Sequence, residues 1–224
     1  MTKVKIAIQG ELGAYSHIAA NNLFKDSEIK TCATFEETFK KAYEDDSYKI
    51  IIPIENSLAG RVADIHYLLP KYKLQIHGEY FLNVEHNLLC KPEASLKDIK
   101  FVRSHAQAIG QCQKIINKNK FQSIISADTA GSAKELSEGN DKSIAAIASG
   151  LSAEIYKLKI LEKNIEDEKG NVTRFLIMGK NIEQPEFNED KKFITSCIFR
   201  VKSEPSALYK CLGGFATNQV NLTK

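Results

Sequence analysis

No apolar run in the sequence approaches the roughly 20 residues needed to cross a bilayer, and no charge of one sign dominates. Thirty-one Lys and Arg stand against 28 Asp and Glu, a formal net charge of +3. That balance is too even to argue for a nucleic-acid or membrane partner. The opening MTKVKIAIQG enters a strand-like alternation at once and has no leader-type apolar core, so a cytoplasmic location is expected rather than a secreted solute receptor. The five cysteines (Cys32, Cys90, Cys112, Cys197 and Cys211) form no CxxC pair and are odd in number; reduced, mostly buried thiols are the expectation. The Gly10/Gly13 pair is not a GxGxxG fingerprint, and neither GKS nor GKT closes a phosphate loop. No GxSxG elbow carries a serine, and no two histidines have metal-ligand spacing. Hydride transfer, phosphoryl transfer, triad hydrolysis and metal catalysis all lose support. No metal or cofactor is expected.

What is present is the composition of a folded chain: 224 residues, 43% hydrophobic and 26% charged, long enough to bury a large core without disulfides. One pattern recurs, a short apolar run, a polar turn, then an amphipathic stretch. Residues 4–8 lead through a glycine-bounded turn to 16–24, with Ala19, Ala20, Leu23 and Phe24 on one face. Residues 49–54 precede 58–69, where Val62, Ile65, Leu68 and Leu69 make a helical stripe. Residues 99–103 lead into 106–117, with Ile109, Cys112, Ile115 and Ile116 spaced at three and four. Residues 124–126 and 144–148 each open another such unit. Strands alternating with helices predict an α/β fold with a mainly parallel sheet covered on both faces.

Such sheets bind ligands at the carboxyl ends of their strands, where helix N-termini offer N–H groups to anions. The turns there read Gln9 to Gly13, Glu55-Asn56-Ser57, Ser104-His105, Asp128-Thr129 and Ser149-Gly150. They describe a polar cleft, although each pair equally suits helix capping. A helix-like stretch at 151–158 is followed by an acidic one at 165–170 and an apolar one at 175–178. Residues 181–192 hold Pro185, lack periodicity and read as a linker. Beyond them, 193–201 alternates like a strand, 206–216 reads as a helix and 220–223 as the start of another strand.

Several strings carry a family resemblance. Pro53-Ile54-Glu55-Asn56-Ser57 with Gly60-Arg61-Val62, Ser104-His105-Ala106-Gln107-Ala108 with Gln111-Cys112, and Asn171-Val172-Thr173-Arg174-Phe175-Leu176 resemble prephenate dehydratase. Residues 10–20 resemble that family's start, with Glu11 in place of its usual proline, and 205–210 through 221–224 resemble the first half of an ACT regulatory domain. The resemblance implies a two-lobed, type II periplasmic-binding-protein-like catalytic domain at 1–182. Lobe one would hold about 1–78 and 165–182 and lobe two about 79–164, with the chain crossing near Glu79 and returning near Ile165. A linker at 183–192 and a truncated α+β ACT-like module at 193–224 would follow.

The activity so implied is that of a carbon–oxygen lyase, in which prephenate loses carbon dioxide and hydroxide and becomes phenylpyruvate on the way to phenylalanine. Such a site must hold a dianion, protonate the departing hydroxyl and exclude water. By resemblance Thr173 donates the proton, and Glu55 orients the hydroxyl or joins the relay. Asn56, Ser57, Ser104, His105, Gln111 and Asp128 are substrate-binding candidates, with local capping as the plain alternative. Ser104 is expected to cap the next helix, and Gln107 shares a helical face with Gln111. Arg174 either clamps a substrate carboxylate or pairs with the acidic residues 166–168, and Phe175 packs beneath the site. Arogenate dehydratase, and a non-catalytic small-anion binding module of the same fold, are the alternative readings. In the tail, Ser206, Ala207 and Leu208 fall at effector-binding positions, Ser206 where the family usually has glycine. Phenylalanine is expected as an effector only if the ACT domain is completed, and the intact family implies a homo-oligomer.

Overall fold

A computed structural model describes residues 3–181, 186, 188–190 and 193–223. The chain divides into two units, Met1–Pro185 and Glu186–Lys224. Much of the expected linker (183–185, 187, 191 and 192) lies outside the described residues.

The first unit holds two sheets. One is built from β1 (Lys5–Gln9), β2 (Glu28–Cys32), β3 (Tyr48–Asn56), β4 (Gly60–Arg61), β5 (Gln75–Asn83) and β11 (Val172–Gly179), ordered β2-β1-β3-β11-β5 with β4 hooked onto β3. The other is built from β6 (Asn87–Cys90), β7 (Phe101–His105), β8 (Gln122–Ser126), β9 (Ile144–Ala148) and β10 (Lys159–Glu162), ordered β10-β6-β9-β7-β8. The chain crosses between them at 84–86 and returns at 163–171. Glu79, expected at the crossing, instead lies inside β5.

The sheets are mixed rather than mainly parallel. β1 runs parallel to β2 and β3, and β7 to β8 and β9. β11 is antiparallel to β3 and β5, and β6 to β9 and β10. The cause is the crossing itself. The chain leaves each lobe at the carboxyl ends of its strands, so a strand arriving from the other lobe starts there and must run back.

Helices α1 (Tyr15–Leu23), α2 (Phe35–Glu44) and α3 (Ala63–Tyr72) cover the first sheet; α4 (Ala106–Gln111), α5 (Gln113–Asn119), α6 (Thr129–Glu138) and α7 (Gly150–Ile155) cover the second. The unbroken apolar run of β3 follows from this two-sided burial. Ile50 and Ile52 pack with Phe39, Ile65 and Leu68, while Ile51 packs with Ile6, Ala19 and Phe175 on the other face. Truncating a ring such as Phe39 or Phe175, both fully buried, costs about 3–5 kcal/mol.

Two expected helices differ. The one expected at 58–69 begins only at Ala63, because the Asn56 side chain takes the backbone N–H of Leu58 (3.0 Å) and Ala59 (2.8 Å) and Arg61 pairs back onto Glu55. Gly60 sits in this turn at φ +79°, which glycine adopts without strain. The one expected at 106–117 breaks at Cys112, where the Asp167 carboxylate accepts the backbone N–H of Gln113 (2.8 Å) and Lys114 (3.0 Å) and so starts a second helix.

Burial holds His17, His77 and His86 below the ordinary histidine range. His17 must be neutral at Nδ1, which accepts the Gly13 N–H at 3.0 Å. As the pH falls through 6.5, the unfolded chain takes up these protons and the folded chain does not. Their contribution to stability is therefore full above that value and lost below it. The thermal midpoint should fall between about pH 7 and about pH 5, a window above most carboxylate titration; a midpoint unchanged or higher at the acid end would contradict this.

In the second unit, α8 (Ala207–Thr217) forms where a helix is expected. The strands expected at 193–201 and 220–223 are not formed, since no described strand lies beside them to complete a ladder. Phe199 and Phe215 meet at 6.1 Å between centroids, while Ile194, Ile198, Leu208, Tyr209 and Leu212 are exposed. Ser206 precedes the helix at φ +63°, a left-handed position that glycine would occupy at lower cost. Cys197 is exposed and only Cys90 and Cys112 are buried, so the thiols are not mostly buried. Among the described residues no helix is long and apolar enough to cross a membrane.

Candidate active site

The floor of the cleft is set by the pairing of β3 with β11. Asn56 lies opposite Thr173, Glu55 opposite Arg174 and, past a bulge, Pro53 opposite Phe175. Side chains alternate across a strand, so Asn56, Thr173, Pro53 and Phe175 line a cavity and Glu55 and Arg174 do not. From the second lobe, α4 contributes Gln107 and Gln111, with His105 at its start, and the start of α6 contributes Asp128 and Thr129. The cleft has a volume of about 440 Å³, within the roughly 300–1,000 Å³ of small-molecule sites. The turn before α1 closes it: the Gly13 carbonyl accepts the hydroxyls of Ser149 (2.6 Å) and Ser152 (3.1 Å) from the other lobe. A side chain on Gly13 would meet the Ser152 backbone at 2.8 Å, so only glycine allows this approach.

A chain of polar contacts crosses the cavity wall. With its Oδ1 occupied by backbone N–H groups, Asn56 donates from Nδ2 to Asn171 Oδ1 (2.6 Å) and to Thr173 Oγ1 (2.9 Å). Asn171 in turn donates to Gln111 Oε1 at 3.0 Å. Thr173 is 8% exposed, and its oxygen is already an acceptor. Its own proton has no acceptor among the described residues, and the residue lines the cavity.

Several expected site residues sit elsewhere. Ser104 does not cap the next helix: alternation along β7 turns it into the core, where Oγ donates to the Ile147 carbonyl at 2.7 Å. His105 is the cap, its Nδ1 accepting the Gln107 N–H at 3.3 Å. Ser57 is absent from the cavity wall because its hydroxyl bridges the Gly170 carbonyl and the Val172 N–H, both at 2.9 Å. Arg174 neither faces the cavity nor pairs with 166–168; Nε donates to Glu79 Oε2 at 2.6 Å across β11 and β5. Glu55, half-buried on that same far face, does not line the cavity either. Asp128 lines it while its Oδ1 caps α6 through the Gly131 N–H at 2.6 Å.

Lining residues not singled out from the sequence include Tyr15, Arg61, Asp64, His86 and Asn171. Tyr15, Arg61 and Asn171 stand inside the family-like strings; nothing around His86 marks it. Arg61, at the mouth, is the only Lys or Arg among the described lining residues and forms no ion pair among them.

Two mixed α/β lobes joined by two crossings and closed on a polar cavity define a two-lobed, type II periplasmic-binding-protein-like domain. The chain belongs to the prephenate dehydratase family, whose model, described as prephenate dehydratase, matches residues 6–183. It is 40% identical over 222 residues to the bifunctional N-acyl-homoserine lactone acylase/prephenate dehydratase of Komagataeibacter europaeus, covering 98% of this chain and 78% of that one. It is 39% identical over 223 residues to arogenate dehydratase/prephenate dehydratase 1 of Arabidopsis thaliana, covering 100% of this chain and 56% of that one. The solved prephenate dehydratase of Arthrobacter aurescens in complex with L-Phe matches with a TM-score of 0.85 at 25% identity, over 99% of this chain and 74% of that one. The chain spans little more than half the length of the plant relative.

Proposed function

We propose that the cleft catalyses the decarboxylating dehydration of prephenate to phenylpyruvate. The observation that carries this reading is the Thr173 hydroxyl, which accepts from Asn56 and keeps its proton for the cavity. As the ring carboxylate leaves as carbon dioxide, its bonding pair enters the ring and the ring C–O bond breaks. The departing oxygen takes the Thr173 proton and leaves as water, and solvent returns a proton to Thr173. Threonine is a weak acid, so the Asn56 N–H matters: it stabilises the negative charge that grows on Oγ1 as the proton departs. Aromatisation drives the step, and the protein's task is positioning.

With Arg174 committed to Glu79, we assign carboxylate binding to Arg61, whose planar fork matches that group. Arg61→Ala should raise KM about 10- to 100-fold with kcat within about threefold. An unchanged KM would place the carboxylate elsewhere.

Arogenate is the second reading, favoured by the two activities in the Arabidopsis relative's name and by Asp64 at the cavity, which suits the ammonium that replaces prephenate's keto oxygen. Side-by-side assays of purified chain on prephenate, arogenate and an acyl-homoserine lactone decide the matter. Phenylpyruvate released from prephenate is the expected result. Turnover of arogenate alone would favour the second reading, and turnover of the lactone alone would overturn both.

Residues 193–223 are proposed to belong to an ACT-type module in which Ser206, Ala207 and Leu208, at the start of α8, meet phenylalanine. The motif strings and the L-Phe complex of the Arthrobacter relative support this. Pairing of copies of the chain and a cytoplasmic location belong to the same proposal.

A further inference from the structure

His86 lies at the crossing between the lobes, buried, with no part in the chemistry above. Its Nε2 is 2.9 Å from Gln111 Oε1 and its Nδ1 is 2.7 Å from the Tyr15 hydroxyl. The direction of both bonds follows from donors that cannot turn round. The backbone N–H groups of Leu58 and Ala59 hold Asn56 Oδ1 towards themselves. Asn56 Nδ2 therefore faces Asn171 Oδ1, Asn171 Nδ2 faces Gln111 Oε1, and that oxygen is fixed as an acceptor. An acceptor beside His86 Nε2 requires the proton to be on Nε2. Burial keeps the ring neutral, so Nδ1 is bare and shares the single Tyr15 proton with the Glu85 carbonyl, which accepts from the same hydroxyl at 2.9 Å.

We propose that His86 is a positioning residue: as the Nε2–H tautomer it pins Gln111 Oε1 so that both Gln111 amide protons face the substrate's oxygens. The substrate part of this inference rests on the dehydratase reading; the tautomer part does not. Gln111 Nε2 has no acceptor among the described residues, and Gln111 lines the cavity, so its two N–H groups remain for the ligand. The order of polarity along this wall is thus set by two backbone N–H groups in the turn after β3, passes through Gln111 of the second lobe and returns to Tyr15 in α1 of the first.

Glutamine places an amide nitrogen where histidine has Nε2, whereas asparagine places it near Nδ1. His86→Gln should therefore stay within about threefold of the wild type, while His86→Asn raises KM for prephenate about 10- to 100-fold with a smaller change in kcat. In a Gln111→Ala background the Asn substitution should add less than about twofold, since residues that act through one another are not additive. A ¹⁵N-histidine spectrum of the unaltered chain should show His86 protonated at Nε2 and bare at Nδ1. The Nδ1–H tautomer, or additive losses in the double variant, would overturn the proposal. The spectrum needs no turnover and no variant. A chain that fails to convert prephenate would sink the functional reading while the tautomer result still decides this one, as it does if His86→Asn does not fold.

Discussion

Thr173→Ala is expected to lower kcat about 10²- to 10⁴-fold while KM stays within a few-fold, the loss that follows when a general acid is removed. The site supports so large a share because, of the hydroxyls on the described wall, that of Thr173 accepts from an amide that would stabilise its developing charge. Thr173 Oγ1 accepts from the Asn56 amide at 2.9 Å, which leaves its hydrogen available to a substrate in the cavity. Gln111 N–H groups donate hydrogen bonds but do not give up protons at neutral pH. Thr173→Ser keeps the hydroxyl and loses the methyl group that fixes its rotamer, so it should retain part of the activity. A Thr173→Ala variant nearly as fast as the wild type would place the acid elsewhere.

The second large loss is expected at Asn56, and it separates direction from mere presence. Asn56→Ala removes the donor to Thr173 and the turn that starts at residue 57; kcat should fall about 10²-fold, the size seen when one preorganised donor to a developing anion is deleted. Asn56→Asp preserves shape and both backbone acceptor contacts, yet should be the worse enzyme, losing about 10³-fold. Its second carboxylate oxygen stands where Nδ2 was, 2.9 Å from Thr173 Oγ1 and 2.6 Å from Asn171 Oδ1. It takes the Thr173 proton away from the cavity and repels the Asn171 oxygen. Circular dichroism on both variants separates lost chemistry from lost fold. If Asp proves no worse than Ala, the orientation of the Thr173 proton is not what the site depends on.

Local signals in the sequence were enough for the elements buried on both faces. Residues 4–8 and 144–148 read as strands and became β1 and β9, because these two inner strands are covered on both faces and are apolar on both. The edge strand β2 reads EIKTC, too polar to stand out, and the local signal for α2 is the spacing of Thr34 and Glu37 as a helix start, with Thr34 Oγ1 accepting the Glu37 N–H at 3.1 Å. At the site, Asn56, Thr173, Gln111, His105, Asp128 and Phe175 all reach the cavity from strings legible beforehand. Ser104, Ser57, Glu55 and Arg174 come from the same strings and do not reach it. What separates the two groups is strand alternation at a bulge and partners distant in sequence: Ile147 for Ser104, Gly170 for Ser57, Glu79 for Arg174. Neither a bulge between Arg174 and Phe175 nor a contact across 95 residues leaves a trace in a motif. The same holds for the break at Cys112, which needs the Asp167 carboxylate delivered by the returning chain.

In the proposed complex prephenate sits between the lobes with its ring hydroxyl at Thr173. A crystal structure of Thr173→Ala, which should bind without turning over, grown with prephenate, tests this most directly. Density for the intact substrate is expected in the cavity, its hydroxyl facing residue 173 and a carboxylate at Arg61. Prephenate bound outside that cavity, or held there with its hydroxyl turned towards Asp128 and away from residue 173, would contradict it.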